Sequence, residues 1–464
     1  MYKNLPCFHI IIVFFLFLPL FILNSCEKEQ NDIVSKEIRK INEWIQEHME
    51  VLYYWNDKIP EGLNPGQEPD PEEFFYKMVY IEEDKWSYIT PDLDALMADL
   101  NGTPFSSGIS PAFIRIGEEQ IILIVEFVYP GSPADRAGIQ RGDLFLTING
   151  TFMNIDNYSE LFNQSILNMG KGMLSGNSFI PTGETITINA EIIEADPLVY
   201  SDIISINGIK TGYFVYSSFT SGTNNKYLSS LDNLFLEFKN ENISELIIDL
   251  RYNLGGEIDV AGYLASAVSP FSVMNNGEIL VNYLYNKELT EYFKLPNTDP
   301  RYLGITFPEN AYNLDLSGIH FLTGWKTASA SELLIIGLKP YMNVKQIGES
   351  TYGKYTASWV ISDTNDPPEH SWAMMPIVLK YANKDGYTDF RNGLTPDYTV
   401  TDPVLDLKPF GDPGDPVLAK ARELIGGVSV KSAVTVKHDI SYTIMVDESW
   451  RRKSLLVVEG GGGY

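Results

Sequence analysis

The residues best suited to chemistry lie in three short stretches. In Thr327-Ala328-Ser329-Ala330-Ser331-Glu332 a strand runs into a small-residue turn and then a helix. Ser329 with Glu332 fits a capping box, the serine oxygen accepting from a helix N–H while the glutamate reaches back. The same hydroxyl would be a nucleophile if a general base stood beside it. In Leu246-Ile247-Ile248-Asp249-Leu250-Arg251-Tyr252-Asn253-Leu254-Gly255-Gly256 a buried-strand pattern ends in a glycine turn. Such glycines let backbone approach a reacting group and expose its N–H. In Gly348-Glu349-Ser350-Thr351-Tyr352-Gly353-Lys354 a lysine follows a second glycine-bearing turn. The chain holds five histidines, none in a catalytic-looking motif: His320 lies in the strand before the serine turn and His370 follows Pro367-Pro368. A Ser-His-Asp triad stays open, because its partners need not be near in sequence.

Residue type, order and spacing in these stretches resemble the carboxyl-terminal processing (tail-specific) serine peptidase family. In that family the nucleophile lies three residues before the glutamate and the lysine base 25 residues beyond the nucleophile, which implies Ser329 and Lys354 here. The Asp-Leu-Arg-x-Asn-x-Gly-Gly turn implies an oxyanion hole from the N–H of Gly255 or Gly256 together with that of Ala330. Gly393-Leu394-Thr395-Pro396-Asp397 is similar to the family's pattern near the end of its core. Gly131-Ser132-Pro133-Ala134-Asp135-Arg136-Ala137-Gly138-Ile139-Gln140-Arg141-Gly142-Asp143 resembles a PDZ signature. PDZ domains take an extended peptide as an added strand and hold its terminal carboxylate on backbone N–H groups. The candidate carboxylate loop is Ser106-Ser107-Gly108-Ile109, with Gly108 and Ile109 as peptide-binding residues; it lacks the usual aromatic-Gly opening. The resemblance covers roughly residues 35–410, implies a crotonase-like α/β core, and calls for no metal and no cofactor.

A lysine base must be neutral. Its free pKa is about 10.4, so neutrality near pH 7 asks for a value about 3.4 lower, roughly 4.6 kcal/mol. Burial can supply that, provided no carboxylate pairs with the ammonium, so Glu349 is expected to point away. Where the family has a glutamine four residues after the lysine, this chain has Ser358. Strand alternation would put Thr356 and Ser358 on one face, making Ser358 an orienting residue in place of that glutamine.

These stretches need elements to position them. Ile38, Ile41, Ile45, Met49 and Leu52 recur at helical spacing, Pro71 is placed to open a second helix, and a third fits Pro91 to Leu100. The spacing therefore predicts an N-terminal helical domain over 35–100. Residues 103–196 read as a β-rich PDZ domain, with a strand at Ile121–Val125, a short helix after Pro133, and a strand at Leu144–Ile148 closed by Asn149-Gly150. From 198 to 410 strands and helices alternate, the pattern of an α/β catalytic domain. Strands are expected at Gly212–Phe219, Leu246–Leu250, Ile319–Leu322 and Pro376–Tyr381, and helices at Tyr227–Lys239, Asp259–Val268 and Ser331–Tyr341. The fold class is thus multidomain α/β. The segment after Pro403 looks peripheral, leaving 411–464 as an extension with a glycine-rich tail at Glu459–Tyr464.

The 464 residues, 44% hydrophobic and 20% charged, suffice for several packed domains. The net charge of −27 would repel a phosphate backbone, so nucleic acid is not an expected partner. Residues 1–25 read as a signal peptide: Lys3 supplies the positive end and Ile10–Leu23 the apolar run. Leu23-Asn24-Ser25-Cys26 resembles a bacterial lipobox. Of the two cysteines, Cys7 would leave with the signal, so Cys26 would be the one cysteine retained and would carry lipid, with 26–34 as a tether. The expected location is the bacterial cell envelope, lipid-anchored and facing the periplasm or the outer membrane surface. The expected partners are protein or peptide substrates, held through their C-termini, and the membrane. The second function class is a catalytically weak or inactive PDZ lipoprotein that scaffolds or senses peptides.

Overall fold

The computed structural model describes residues 33–427, 440–445 and the backbone of 456–457. The expected signal peptide, Cys26 and the glycine-rich tail lie outside the described residues.

Three helices open the chain: Lys36–Leu52, Pro71–Met78 and Leu93–Leu100. Each starts on a side chain that accepts a helix N–H, from Ser35, Asp70 and Asp92 respectively, which satisfies amides the helix itself leaves unpaired. Proline at the first helical position of Pro71–Met78 loses no hydrogen bond there. The apolar faces, Ile41, Ile45 and Met49 with Phe74, Phe75 and Met78, join one continuous core with Phe214, Phe235 and Ile335 of the α/β unit. The helical unit is therefore built into the core of the α/β unit. A small sheet extends that join: Tyr88–Thr90 pairs antiparallel with Ala373–Met375.

The β-rich unit is a sheet in the order Tyr442–Ile444, Ile109–Ile116, Gln120–Val128, Leu144–Ile148, Ile166–Ser175, Ser178–Asn189. Alternation along Gln120–Val128 serves two cores. Ile121, Leu123 and Val125 face one with Phe145 and Met169, and Ile122 and Ile124 face another with Ile114 and Leu146. Burial on both faces explains why this strand reads as an unbroken apolar run.

The α/β unit holds two six-stranded sheets. In the first, Leu198–Ile206 pairs antiparallel with Ile209–Tyr216, after which Glu245–Asp249, Gly318–Thr323, Asn343–Gly348 and Tyr398–Thr399 add in parallel. The helices Lys226–Asn240, Ile258–Val268 and Ala330–Leu338 match the sequence expectation to within three residues at each end. In the second sheet the order is Gly256–Glu257, Leu456–Val457, Thr356–Ser358, Ile377–Asn383, Ile279–Tyr285, Gly304–Thr306.

The segment after Pro403 departs from the expectation of a peripheral extension beginning at 411. The Pro416–Gly426 helix buries Val417, Leu418 and Ala421 against Tyr213, Ile247 and Ile347 of the first sheet. Ahead of it, Asp415 is buried against Arg251 at 2.9 Å. The core thus runs past 410, because the buried Arg251 draws its counter-charges from Asp402 and Asp415 as well as from Asp249.

Candidate active site

The Gly318–Thr323 strand delivers the chain to a tight turn and then to the Ala330–Leu338 helix. The turn is fastened to the glycine loop beside it. Thr327 Oγ1 donates to Leu250 O at 2.7 Å and Ala328 N–H to Asn253 O at 3.0 Å. At its apex Ser329 takes φ 63°, ψ −113°, a region costly for a residue with a side chain. A strained serine on a strand-to-helix turn is the geometry of a nucleophile elbow. The space behind it is exhausted: a Cβ on Gly255 would lie 2.6 Å from Ser329 Cβ and 3.0 Å from Ala330 N. Gly255, at φ +106°, therefore has to be glycine.

Only the glutamate side of the expected capping box is engaged. Glu332 Oε2 accepts the Ser329 N–H at 2.8 Å, whereas the fully buried Ser329 Oγ makes no hydrogen bond. Glu332 does more than cap. Oε2 also accepts the Lys354 N–H at 2.8 Å, and Oε1 accepts the Gly353 N–H at 2.7 Å and the Thr351 hydroxyl at 2.5 Å. The Tyr381 hydroxyl lies 3.1 Å from Ser329 O and 2.7 Å from Lys354 O. One buried carboxylate and one buried phenol thus tie the backbones of Ser329 and Lys354 to each other, 25 residues apart in sequence. Burial pushes Glu332 up to about 7, and its four donors work against that rise. Three of the four are backbone N–H groups, which cannot accept a proton from a neutral carboxyl.

Lys354 is wholly buried. Loss of solvent brings its pKa down to about 7, opposed by the charges of Asp84 and Glu332. Asp84 comes from the helical unit and is itself committed: it accepts from Tyr53 OH at 2.9 Å, from the Trp86 and Ser87 N–H groups, and from the Ser87 hydroxyl. Nothing in the spacing of Asp84-Lys85-Trp86-Ser87 pointed to the lysine. Glu349 turns toward Asp402 and Tyr442 at a separate cavity and is not among the groups acting on Lys354. Downstream, the Thr356 and Ser358 hydroxyls are buried without partners. Unpaired buried hydroxyls are rare enough to ask for an explanation, and here three of them, with Ser329, accompany one lysine whose pKa burial lowers. The ladder from Thr356–Ser358 to its neighbour slips between Ala357 and Ser358.

Of the two candidate oxyanion glycines, Gly255 has its N–H held by Asn253 Oδ1 at 2.8 Å, while Gly256 pairs with the Leu456 backbone. Ala330 opens the helix, where an N–H has no partner within the helix. Among the histidines, His320 stands near Glu245 at 3.7 Å, and burial lowers its pKa to about 4. His48 and His370 pack on Trp44. None of these three described histidines bonds to Ser329 Oγ.

The PDZ-like unit touches the serine turn directly. Lys326 Nζ donates to Glu126 at 2.5 Å and to Pro111 O at 3.2 Å, from a position three residues before Ser329. The Arg141 guanidinium sits 5.0 Å from the Tyr252 ring and 4.5 Å from the Phe410 ring. Between the units lies a cavity of about 370 Å³ bordered by Thr90, Ile109, Phe127, Gly255, Gly256 and Lys326. In the candidate carboxylate loop, the Gly108 N–H is held by Ser106 Oγ at 3.0 Å and the Ile109 N–H by Ser107 Oγ at 3.4 Å. A bound carboxylate would have to replace those serine oxygens.

Residues 210–400 match the family model described as Peptidase family S41, residues 40–88 the Peptidase S41 N-terminal domain, and residues 124–165 a PDZ domain. A protein assigned as a CtpA-like serine protease from Staphylococcus aureus strain N315 is 24% identical over 309 residues, 64% of this chain and 55% of that one. The chain thus spans about half the length of the curated staphylococcal relatives it matches. A carboxyl-terminal-processing protease from Synechocystis is 24% identical over 328 residues, 68% of each chain. Among solved structures, one assigned as an S41 protease from Bacteroides fragilis is 27% identical with a TM-score of 0.69, covering 83% of this chain and 97% of that one. With an S41 amino-terminal domain, a PDZ domain and an S41 peptidase core matched along residues 40–88, 124–165 and 210–400, the chain carries the domains of an S41 serine peptidase.

Proposed function

We propose that the protein is an endopeptidase that cleaves protein tails or unfolded envelope proteins with a Ser329–Lys354 dyad. The observation that carries this reading is the joint anchoring of a strained, unbonded Ser329 and a wholly buried Lys354 on Glu332. Neutral Lys354 takes the Ser329 proton as Oγ attacks the scissile carbonyl. The oxyanion is met by the Ala330 N–H and by the N–H of Gly255 or Gly256, from which Asn253 Oδ1 or the Leu456 backbone must first withdraw. The lysine then returns the proton to the leaving amine, and water releases the acyl group by the same route reversed. Thr356 and Ser358 are the hydroxyls that orient the ammonium while it carries the proton. Substrates reach the site as extended peptides on the PDZ edge, their terminal carboxylates received by Gly108 and Ile109 once Ser106 and Ser107 give way. Cys26 is read as the lipid attachment site that fixes the enzyme in the bacterial envelope, since two or more acyl chains suffice for stable anchoring.

The test is to incubate the chain from Glu27 onward, and its Ser329→Ala form, with reduced unfolded protein and to follow products by mass spectrometry. New peptides from the parent and none from Ser329→Ala are expected. Equal digestion by both would remove the dyad, and digestion by neither would favour a peptide-binding scaffold.

A further inference from the structure

The strand that follows the candidate carboxylate loop, Ile109–Ile116, would be the open edge of the PDZ sheet. It is already covered. Tyr442–Ile444 lies antiparallel along it, with Tyr442 opposite Ile116, Thr443 opposite Arg115 and Ile444 opposite Ile114. The Met445 N–H then donates to Phe113 O at 2.8 Å. Side chains leave this short strand to both faces. Tyr442 and Ile444 pack with Ile114, Ile122 and Val404, whereas Met445 packs with Phe113, Tyr158 and Phe162. This is strand addition to an open sheet edge, the mode by which such domains take peptides. The antiparallel register also sets direction: rising residue number runs toward Ile109 and Gly108, the course of a peptide approaching that loop.

A second contact lies at the dyad. The Leu456–Val457 backbone forms a parallel strand between Gly256–Glu257 and Thr356–Ser358, Leu456 opposite Gly256, and Val457 opposite both Glu257 and Ser358. Gly256 adjoins the glycine that abuts Ser329, and Ser358 is four residues past Lys354. One polypeptide therefore adds a strand to the peptide edge of the PDZ sheet and, eleven residues later, threads the gap between the two halves of the site.

Resting on the peptidase reading, we propose that the pair of stretches 442–445 and 456–457 is an internal ligand. It occupies the PDZ edge and the substrate cleft together, holds the enzyme in a self-occupied state, and is displaced by an extended substrate that binds the same two edges. A tethered segment has an effective concentration on the order of mM. Affinity of about 100 μM for the free peptide would thus suffice to suppress access roughly tenfold.

The test keeps the chain whole during folding. A cleavage site for a specific protease is inserted after Gly427, and the folded protein is nicked and diluted to micromolar concentration. In a Ser329→Ala background, a fluorescent peptide of residues 440–458 should bind the nicked protein about tenfold more tightly than the intact one, read by anisotropy. Full-length Met445→Asp, which retains every residue but puts a charge against Phe113 and Phe162, should also bind it more tightly than the unmutated chain. With Ser329 present, nicked protein and Met445→Asp should digest casein about tenfold faster, and added peptide should inhibit competitively. Equal binding by intact, nicked and Met445→Asp forms overturns the inference, whether or not casein is cut. A binding difference with no digestion by any form would uphold the internal ligand and remove the peptidase reading instead.

Discussion

Replacing Lys354 by methionine should abolish proteolysis and yet stabilise the protein, by an amount that depends on pH. In the unfolded chain the lysine holds its proton up to the ordinary value of 10.5; in the folded chain burial brings the value to about 7. Between these two the unfolded state binds more protons, so the contribution of this group makes stability rise with pH. Below pH 7 both states are protonated and the folded state carries the full cost of a buried ammonium, about 5 kcal/mol. At pH 9 the folded lysine is neutral and the residual cost is the proton still bound by the unfolded chain, about 2 kcal/mol. Methionine fills a similar volume and carries no charge. The stability difference, Lys354→Met minus parent, should therefore fall from about 5 kcal/mol at pH 6 to about 2 kcal/mol at pH 9. Urea titrations of both chains at the two pH values, followed by the emission of buried tryptophans such as Trp86 and Trp359, measure it. The groups the two chains share largely cancel in the difference. A difference that stays flat between pH 6 and 9, or a methionine variant less stable than the parent at pH 6, would refute the claim that Lys354 is held neutral by desolvation.

The same pKa sets the rate. kcat/KM should rise about tenfold per pH unit below about 7 and level off above it, and a limb centred near pH 4–5 would instead assign the base to a carboxylate. Gly255→Ala forces a methyl to within 2.6 Å of Ser329 Cβ at φ +106°; turnover should drop by at least a hundredfold, and an active variant would show that the elbow can move. Arg251→Met removes the guanidinium paired with Asp249, Asp402 and Asp415 and leaves Asp402 with Arg141 at 3.9 Å, which should cost about 3–5 kcal/mol in urea denaturation. Cys26→Ser should release the protein from the membrane fraction of cells expressing the full chain, and retention there would point to an uncleaved signal anchor.

Much of the site was readable because it is written in local order. Ser329, Glu332 and Lys354 sit at fixed spacing on turns whose strands have clear apolar runs, and the helices of the core follow from 3.6-residue periodicity. What could not be read came from groups that meet only in space. Asp84 reaches the lysine from a different unit and acts by charge across a buried interior, which leaves no spacing to detect. Arg251 looked like part of a glycine-turn motif; that it needs Asp402 and Asp415, and so pulls the Pro416–Gly426 helix into the core, follows only from the cost of burying an unpaired guanidinium. The Tyr442–Ile444 strand is too short for an alternation signal, and its partner edge belongs to a domain that begins more than three hundred residues earlier.

The capping box and the nucleophile entered as competing readings of Ser329, since a serine that accepts a helix N–H has its lone pairs engaged and its rotamer fixed. At φ +63° the Ser329 Oγ makes no hydrogen bond, and Glu332 accepts the Ser329 N–H from the other side. A glutamate that only capped would sit at a helix mouth facing water. This one is buried and shared with Lys354 and Gly353, so the start of the helix and the position of the base are set by a single side chain. The Glu332 carboxylate, whose charge acts on the lysine, accepts from three backbone N–H groups and the Thr351 hydroxyl. Its charge raises the lysine only against a larger desolvation effect. The local rule that first argued against catalysis thus supplies the part that holds the proposed nucleophile and base in register.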